Sequence, residues 1–143
     1  MTTKKGPIII IDDDADDQEI LQQIIKDMDV KNEIISFSTC SEAFDYLEDD
    51  NTFVQPFVIL SDINLPKMNG VELKQRIDGN ERLRKKSIPF IFLSTAFDRS
   101  ILDKVYEYRV QGYFVKGSTM NALKETLSII FQYWSMSKHP NSI

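Results

Sequence analysis

A single cysteine, Cys40, excludes any disulfide within the chain and fits a reducing cytosol. A single histidine, His139, leaves no His-Cys metal set and no Ser-His-Asp arrangement. The five glycines are scattered, and none belongs to a Gly-rich nucleotide loop. Basic charge is in the minority. Lys and Arg number 17 against 22 Asp and Glu, giving a net charge of −5, which argues against a nucleic-acid binder. No apolar run is long enough to span a membrane, and the first one meets acid at Asp12, so neither a signal peptide nor a membrane span is expected. Internal repeats, low-complexity stretches and linkers are also missing. At 143 residues the expectation is one cytoplasmic domain over 1–143, with a core of about 7–136 and no output domain.

What is present is an alternation of apolar runs and helical patterns, repeated five times. Strands are expected at about Pro7–Asp12, Glu33–Ser38, Phe57–Ser61, Ile88–Leu93 and Gly112–Val115. The first helix carries Ile20, Leu21, Ile24, Ile25 and Met28 on one face. Thr39-x-x-Glu42 is a capping box for the second. The third begins near Asn69 with Val71, Leu73 and Ile77. The fourth, from about Asp98, presents Ile101, Leu102 and Val105. The last runs from about Thr119 to Met136. The polar segment from Gly79 to Ser87 is expected to be a connection. Strands alternating with helices predict an α/β fold, and near-continuous apolar strands predict a parallel sheet buried on both faces.

Four strands end in chemistry. The first ends at Asp12 and Asp13, the third at Asp62, the fourth at Ser94-Thr95 and the fifth at Lys116. Ligands of open α/β sheets bind at that carboxyl edge. Buried charge needs a partner, so this convergence implies a metal and a phosphoryl group. If the first and third strands are neighbours, three carboxylates meet and repel, and a bound Mg²⁺ relieves them. Asp14, Asp16 and Asp17 are read instead as acids favoured at a helix amino terminus. The run is not an EF-hand loop, because Asp17 and Gln23 stand where that loop needs Gly and Glu.

These elements, together with Leu65-Pro66-x-Met68-x-Gly70 and Gly112-Tyr113-x-x-Lys116, resemble the receiver domain of two-component response regulators, over roughly residues 7–136. The resemblance implies a chemotaxis-receiver, flavodoxin-like (βα)5 three-layer sandwich with strand order 2-1-3-4-5. It implies Asp62 as phosphoacceptor from a histidine kinase. Mg²⁺ (or Mn²⁺) would be held by Asp13, Asp62 and the backbone carbonyl of Asn64, with Asp12 acting largely through water. Thr95 and Lys116 would bind phosphoryl oxygens, and Tyr113 would change rotamer with Thr95. Asn64 and Phe97 occupy the positions that tune phosphoryl lifetime in the family. An apolar ring at Phe97 is expected to shield the acyl phosphate from water.

The chain departs from the family pattern after the lysine, where Gly117 replaces the usual proline. Non-proline residues there, a long connection before the fourth strand and late aromatics such as Tyr133-Trp134 are similar to the stand-alone, phytochrome-coupled regulators. The last helix is apolar over much of its circumference: Met120, Leu123, Leu127, Ile130 and Trp134 form one stripe, with Ala122, Ile129, Phe131 and Tyr133 beside it. Tyr106, Tyr108, Tyr133 and Trp134 suit an interface. A homodimer through the fourth helix, fifth strand and last helix is therefore expected. The basic run 82–86 is read as a solvated helix end and loop, or as a dock for an acidic kinase surface. Cys40 is read as a small packed residue.

The expected partners are a sensor histidine kinase or histidine phosphotransfer protein and a downstream protein, with no nucleic acid or membrane. The chain is expected to be a switch rather than an enzyme, with at most self-catalysed phosphotransfer and slow autodephosphorylation. The alternatives are a phosphorelay intermediate or phosphate sink, an unphosphorylated interaction module, and a haloacid-dehalogenase-type phosphohydrolase built on Asp12-x-Asp14. The last leaves Asp62 unexplained.

Overall fold

The computed structural model describes residues 5–49, 55–63, 69–95 and 99–138, with the backbone alone at Ile101 and Lys104. The elements run β1 (Ile8–Ile11), α1 (Ala15–Asp27), β2 (Ile34–Phe37), α2 (Cys40–Glu48), β3 (Val58–Ser61), α3 (Gly70–Gly79), α4 (Glu81–Lys86), β4 (Phe90–Ser94), α5 (Arg99–Glu107), β5 (Gly112–Val115) and α6 (Met120–Met136). All strand pairs are parallel, in the order β2-β1-β3-β4-β5. This is the expected flavodoxin-like sheet.

Alternation along the strands feeds two cores. In β1, Ile9 and Ile11 join Ile59, Phe90 and Phe92 on the side covered by residues of α2, α3, α4 and α5. Ile8 and Ile10 join Val58, Leu60, Ile91 and Leu93 under α1 and α6. Every residue of β1, β3 and β4 is buried, whereas β2 and β5 are less enclosed, as sheet edges must be.

The segment from Gly79 to Ser87 is not a mere connection. It contains the six-residue helix α4. Asn80 caps it by accepting from the Leu83 N–H at 3.1 Å, and Leu83 alone anchors it to the core at 1% exposure. One apolar residue in two turns leaves no periodicity for a sequence reading to find. Nor is the basic run simply solvated. Arg82 Nη2 donates to the carbonyls of Leu47 and Glu48 at the end of α2, and Arg84 donates to Asp78 at the end of α3. Both cations sit where helix dipoles favour them.

The core stripe of α6 also differs from the expectation. Leu123, Leu127, Ile130 and Phe131 are buried, while Met120 is exposed and Trp134 is only partly covered. Phe131 is fully buried and meets Phe57 with ring centroids 6.0 Å apart, joining α6 to the residue before β3. Phe131→Ala should therefore lower the unfolding free energy by about 3–5 kcal/mol. Urea unfolding followed by circular dichroism would read this as a lower midpoint with an unchanged slope.

Candidate functional site

The site is assembled by the register of the sheet. Ile11 pairs with Ser61, so the residues that follow, Asp12 and Asp62, leave their strands side by side. The Asp62 N–H donates to the Ile11 carbonyl at 2.9 Å, and the Asp12 N–H donates to the Phe37 carbonyl at 3.1 Å. Asp12, Asp13 and Asp62 each bring a carboxylate oxygen within 4.8 Å of the others. Asp12 is buried, Asp62 is half-buried and Asp13 is exposed. An all-oxygen set with one open side fits a hard divalent cation that keeps several of its waters.

Lys116 completes this cluster from the far side of the sheet. Its backbone N–H donates to the Ser94 carbonyl at 2.7 Å, which sets it beside Thr95. Its ammonium lies 3.2 Å from Asp12 Oδ2 and 3.8 Å from Asp17 Oδ2. Asp12 Oδ1 accepts from the Asp14 N–H at 2.9 Å. Both oxygens of the buried carboxylate are thus engaged by the protein. Asp14 caps α1 by accepting from the N–H groups of Asp16 and Asp17. The carboxylate of Asp17 has a further role that a reading confined to the helix terminus misses, because its partner lies 99 positions away.

Thr95 is exposed at the end of β4 and lines a cavity with Asp17, Lys116 and Gly117. Tyr113 pairs in register with Phe92 and packs, partly buried, on the core beneath α2, α3 and α5. Asn64 and Phe97 lie outside the described residues. Cys40 is 1% exposed, and its thiol is pushed up to about 12, first by burial and then by the charges of Glu72 and Asp62. A thiol so held stays protonated and inert.

Two positioning groups escape a motif-based reading. Gln18 Nε2 donates to the carbonyls of both Asp12 and Phe37, tying α1 to the ends of β1 and β2. Its signal was a polar residue three positions before buried Leu21, on the inward face of α1. Gly70, the first residue of α3, is a matter of space: a Cβ there would stand 2.3 Å from Phe92 Cε1 and 3.1 Å from the Asp62 carbonyl. Any side chain would collide with the Phe92 ring and crowd the Asp62 carbonyl.

The family pattern described as the response regulator receiver domain matches residues 8–128. The chain belongs to this family. The receiver domain is 26% identical over 130 residues to response regulator Rcp1 of Synechocystis, an alignment covering 89% of this chain and 87% of Rcp1. Among solved structures, the phosphorylated cyanobacterial phytochrome response regulator RcpA superposes with a TM-score of 0.81 at 26% identity, covering 96% of this chain and 98% of RcpA. The Mn²⁺-bound form of Rcp1 superposes with a TM-score of 0.78 at 26% identity, covering 94% and 97%. No helix among the described residues of this receiver domain is long and apolar enough to cross a membrane.

Three carboxylates held this close repel when no cation lies between them. Asp13→Asn should therefore stabilise the metal-free receiver domain by about 1 kcal/mol, the interaction of two unit charges about 4 Å apart in water. Urea titration in excess chelator is the measurement. Equal or lower stability in the variant would show that the cluster is not electrostatically strained.

Proposed function

We propose that this receiver domain is a phosphorylation switch: Asp62 accepts a phosphoryl group from the phosphohistidine of a histidine kinase or histidine phosphotransfer protein. The observation that carries the reading is the three-carboxylate cluster, within 4.8 Å, with the Lys116 ammonium bonded to its buried member. Family membership supports it. So does likeness over nearly the whole chain to a phosphorylated regulator and to an Mn²⁺-bound one.

Asp62 is the nucleophile. Its carboxylate oxygen attacks phosphorus as the bond to the imidazole nitrogen breaks, giving an acyl phosphate and a free histidine. Mg²⁺ or Mn²⁺, when bound, would supply charge neutralisation for the phosphoryl oxygens. Asp13 and Asp62 would hold that ion, with Asp12 acting largely through water and the backbone carbonyl of Asn64, by resemblance to the family, as a further ligand. Lys116 pairs with one phosphoryl oxygen and the Thr95 hydroxyl donates to another, positioning the group without covalent chemistry of their own. Tyr113 follows Thr95 inward. Phe97, at a position that tunes phosphoryl lifetime in the family, would lengthen the life of the acyl phosphate. Hydrolysis is slow and self-catalysed, so the protein signals rather than turns over substrate. A phosphorelay intermediate or phosphate sink would use the same site.

The output surface is the β5 edge with its flanking helices. Tyr106 on α5, Val115 on β5 and Ile129, Tyr133 and Met136 on α6 are all exposed. Apolar and aromatic groups of this kind anchor protein interfaces. The partner proposed for this surface is a second copy of the chain or a downstream protein.

Incubation with acetyl phosphate and Mg²⁺, read by intact mass, tests the switch. The expected result is a Mg²⁺-dependent phosphoadduct that Asp62→Asn abolishes. An adduct that survives Asp62→Asn but is lost in Asp12→Asn would point to a hydrolase-type nucleophile instead. Light scattering tests the output face: self-association should rise on phosphorylation and fall in Tyr133→Ala. A monomer at high concentration in both states would leave a downstream protein as the occupant.

A further inference from the structure

The residue after Lys116 is a glycine for reasons of space. Gly117 does not have the positive φ that would favour glycine on conformational grounds; Gly6 is the glycine with that backbone. A Cβ at 117 would instead stand 2.3 Å from Ala122 Cβ, and 3.5 Å from both Cα and the carbonyl carbon of Ala122. Carbon atoms pack at about 3.5–4.0 Å, so a methyl group at 117 would force a movement of more than about 1 Å.

Ala122 cannot supply that movement. Its N–H donates to the capping hydroxyl of Thr119 at 3.1 Å, and its carbonyl accepts from Thr126 Oγ1 at 3.1 Å. The next residue, Leu123, is buried in the core that α6 shares with α1. The first turn of α6 is therefore fixed together with its cap Thr119, and the short exposed loop of Gly117 and Ser118 must yield. Lys116 is the residue at the head of that loop.

We propose that Gly117 is a positioning residue for Lys116, acting through a mutually dependent contact with Ala122. The contact has room for one methyl group, and Ala122 provides it from the helix. With glycine at 117, the strand end lies close against α6, and the lysine keeps both its backbone bond to Ser94 and its ammonium beside Asp12. The consequence for phosphorylation rests on the role of Lys116 proposed above; the packing itself does not.

The test is a four-protein cycle: wild type, Gly117→Ala, Ala122→Gly and the double variant. Two readouts are needed, the rate of phosphorylation by acetyl phosphate with Mg²⁺ and the hydrogen exchange of the Lys116 amide. Misplacing a reacting group by about 1 Å can cost on the order of 100-fold in rate. The expected result is a phosphorylation rate in Gly117→Ala lowered by at least about 10-fold, on the same reasoning. Its Lys116 amide should also exchange faster. The double variant should recover both, being faster than the product of the two single effects predicts. Independent effects of the two substitutions, or a wild-type rate and exchange in Gly117→Ala, would overturn the proposal. Restored amide protection in the double variant with no phosphorylation of any of the four would keep the packing pair and sink the switch.

Discussion

The chemistry of this protein depends on the parallel pairing of β1 with β3. That pairing brings Asp12 and Asp62 out of the sheet together, and it holds them there although like charges repel. What resists the repulsion is the burial of both strands on both faces. Ile8 to Ile11 and Val58 to Leu60 are almost wholly excluded from water, so the strands cannot slip or part without exposing both cores. Hydrophobic packing thus holds the three carboxylates together at this edge, where their oxygens could share a cation.

Lys116 is the counterweight already present. Its ammonium lies between Asp12 and Asp17. Such a pair is costly to break from one side only, because the surviving buried charge is left without a partner. Asp12 is therefore a structural member of the cluster as much as a prospective ligand partner. Gln18 and the Asp14 N–H hold the same turn from above, so the loop that presents Asp13 to solvent is braced on each side.

Much of this was legible before any coordinates. The apolar runs gave the strands to within a residue or two, since a parallel sheet buried on both faces demands them. Residues with polar chemistry at strand ends pointed to the carboxyl edge, and the structure brings Asp12, Asp13, Asp62 and Lys116 together there. What escaped was set by contacts distant in sequence or by lengths too short to carry a period. α4 has one apolar residue, so it read as loop. Arg82 read as solvated because the carbonyls it meets lie some 35 positions away. The stripe read on α6 holds at Leu123, Leu127 and Ile130 but fails at its ends, Met120 and Trp134, and Phe131 is buried beside it because its ring fits against Phe57. Gly117 read only as a departure from the family's proline, whereas its lack of a side chain matters for clearance against Ala122.

The placement of α4 has a consequence for where such a chain can grow. It lies between α3 and β4, at the end of the sheet opposite the carboxylates, and is fastened there by Leu83 and two arginines. The helix is a small module with its own attachments, separate from the strand register that sets the carboxyl edge. The two ends of the sheet are therefore held by separate means: Leu83, Arg82 and Arg84 fasten α4 at one, and the β1–β3 register gathers the carboxylates at the other. An affinity tag or reporter grafted into the α4 region would exploit the same separation.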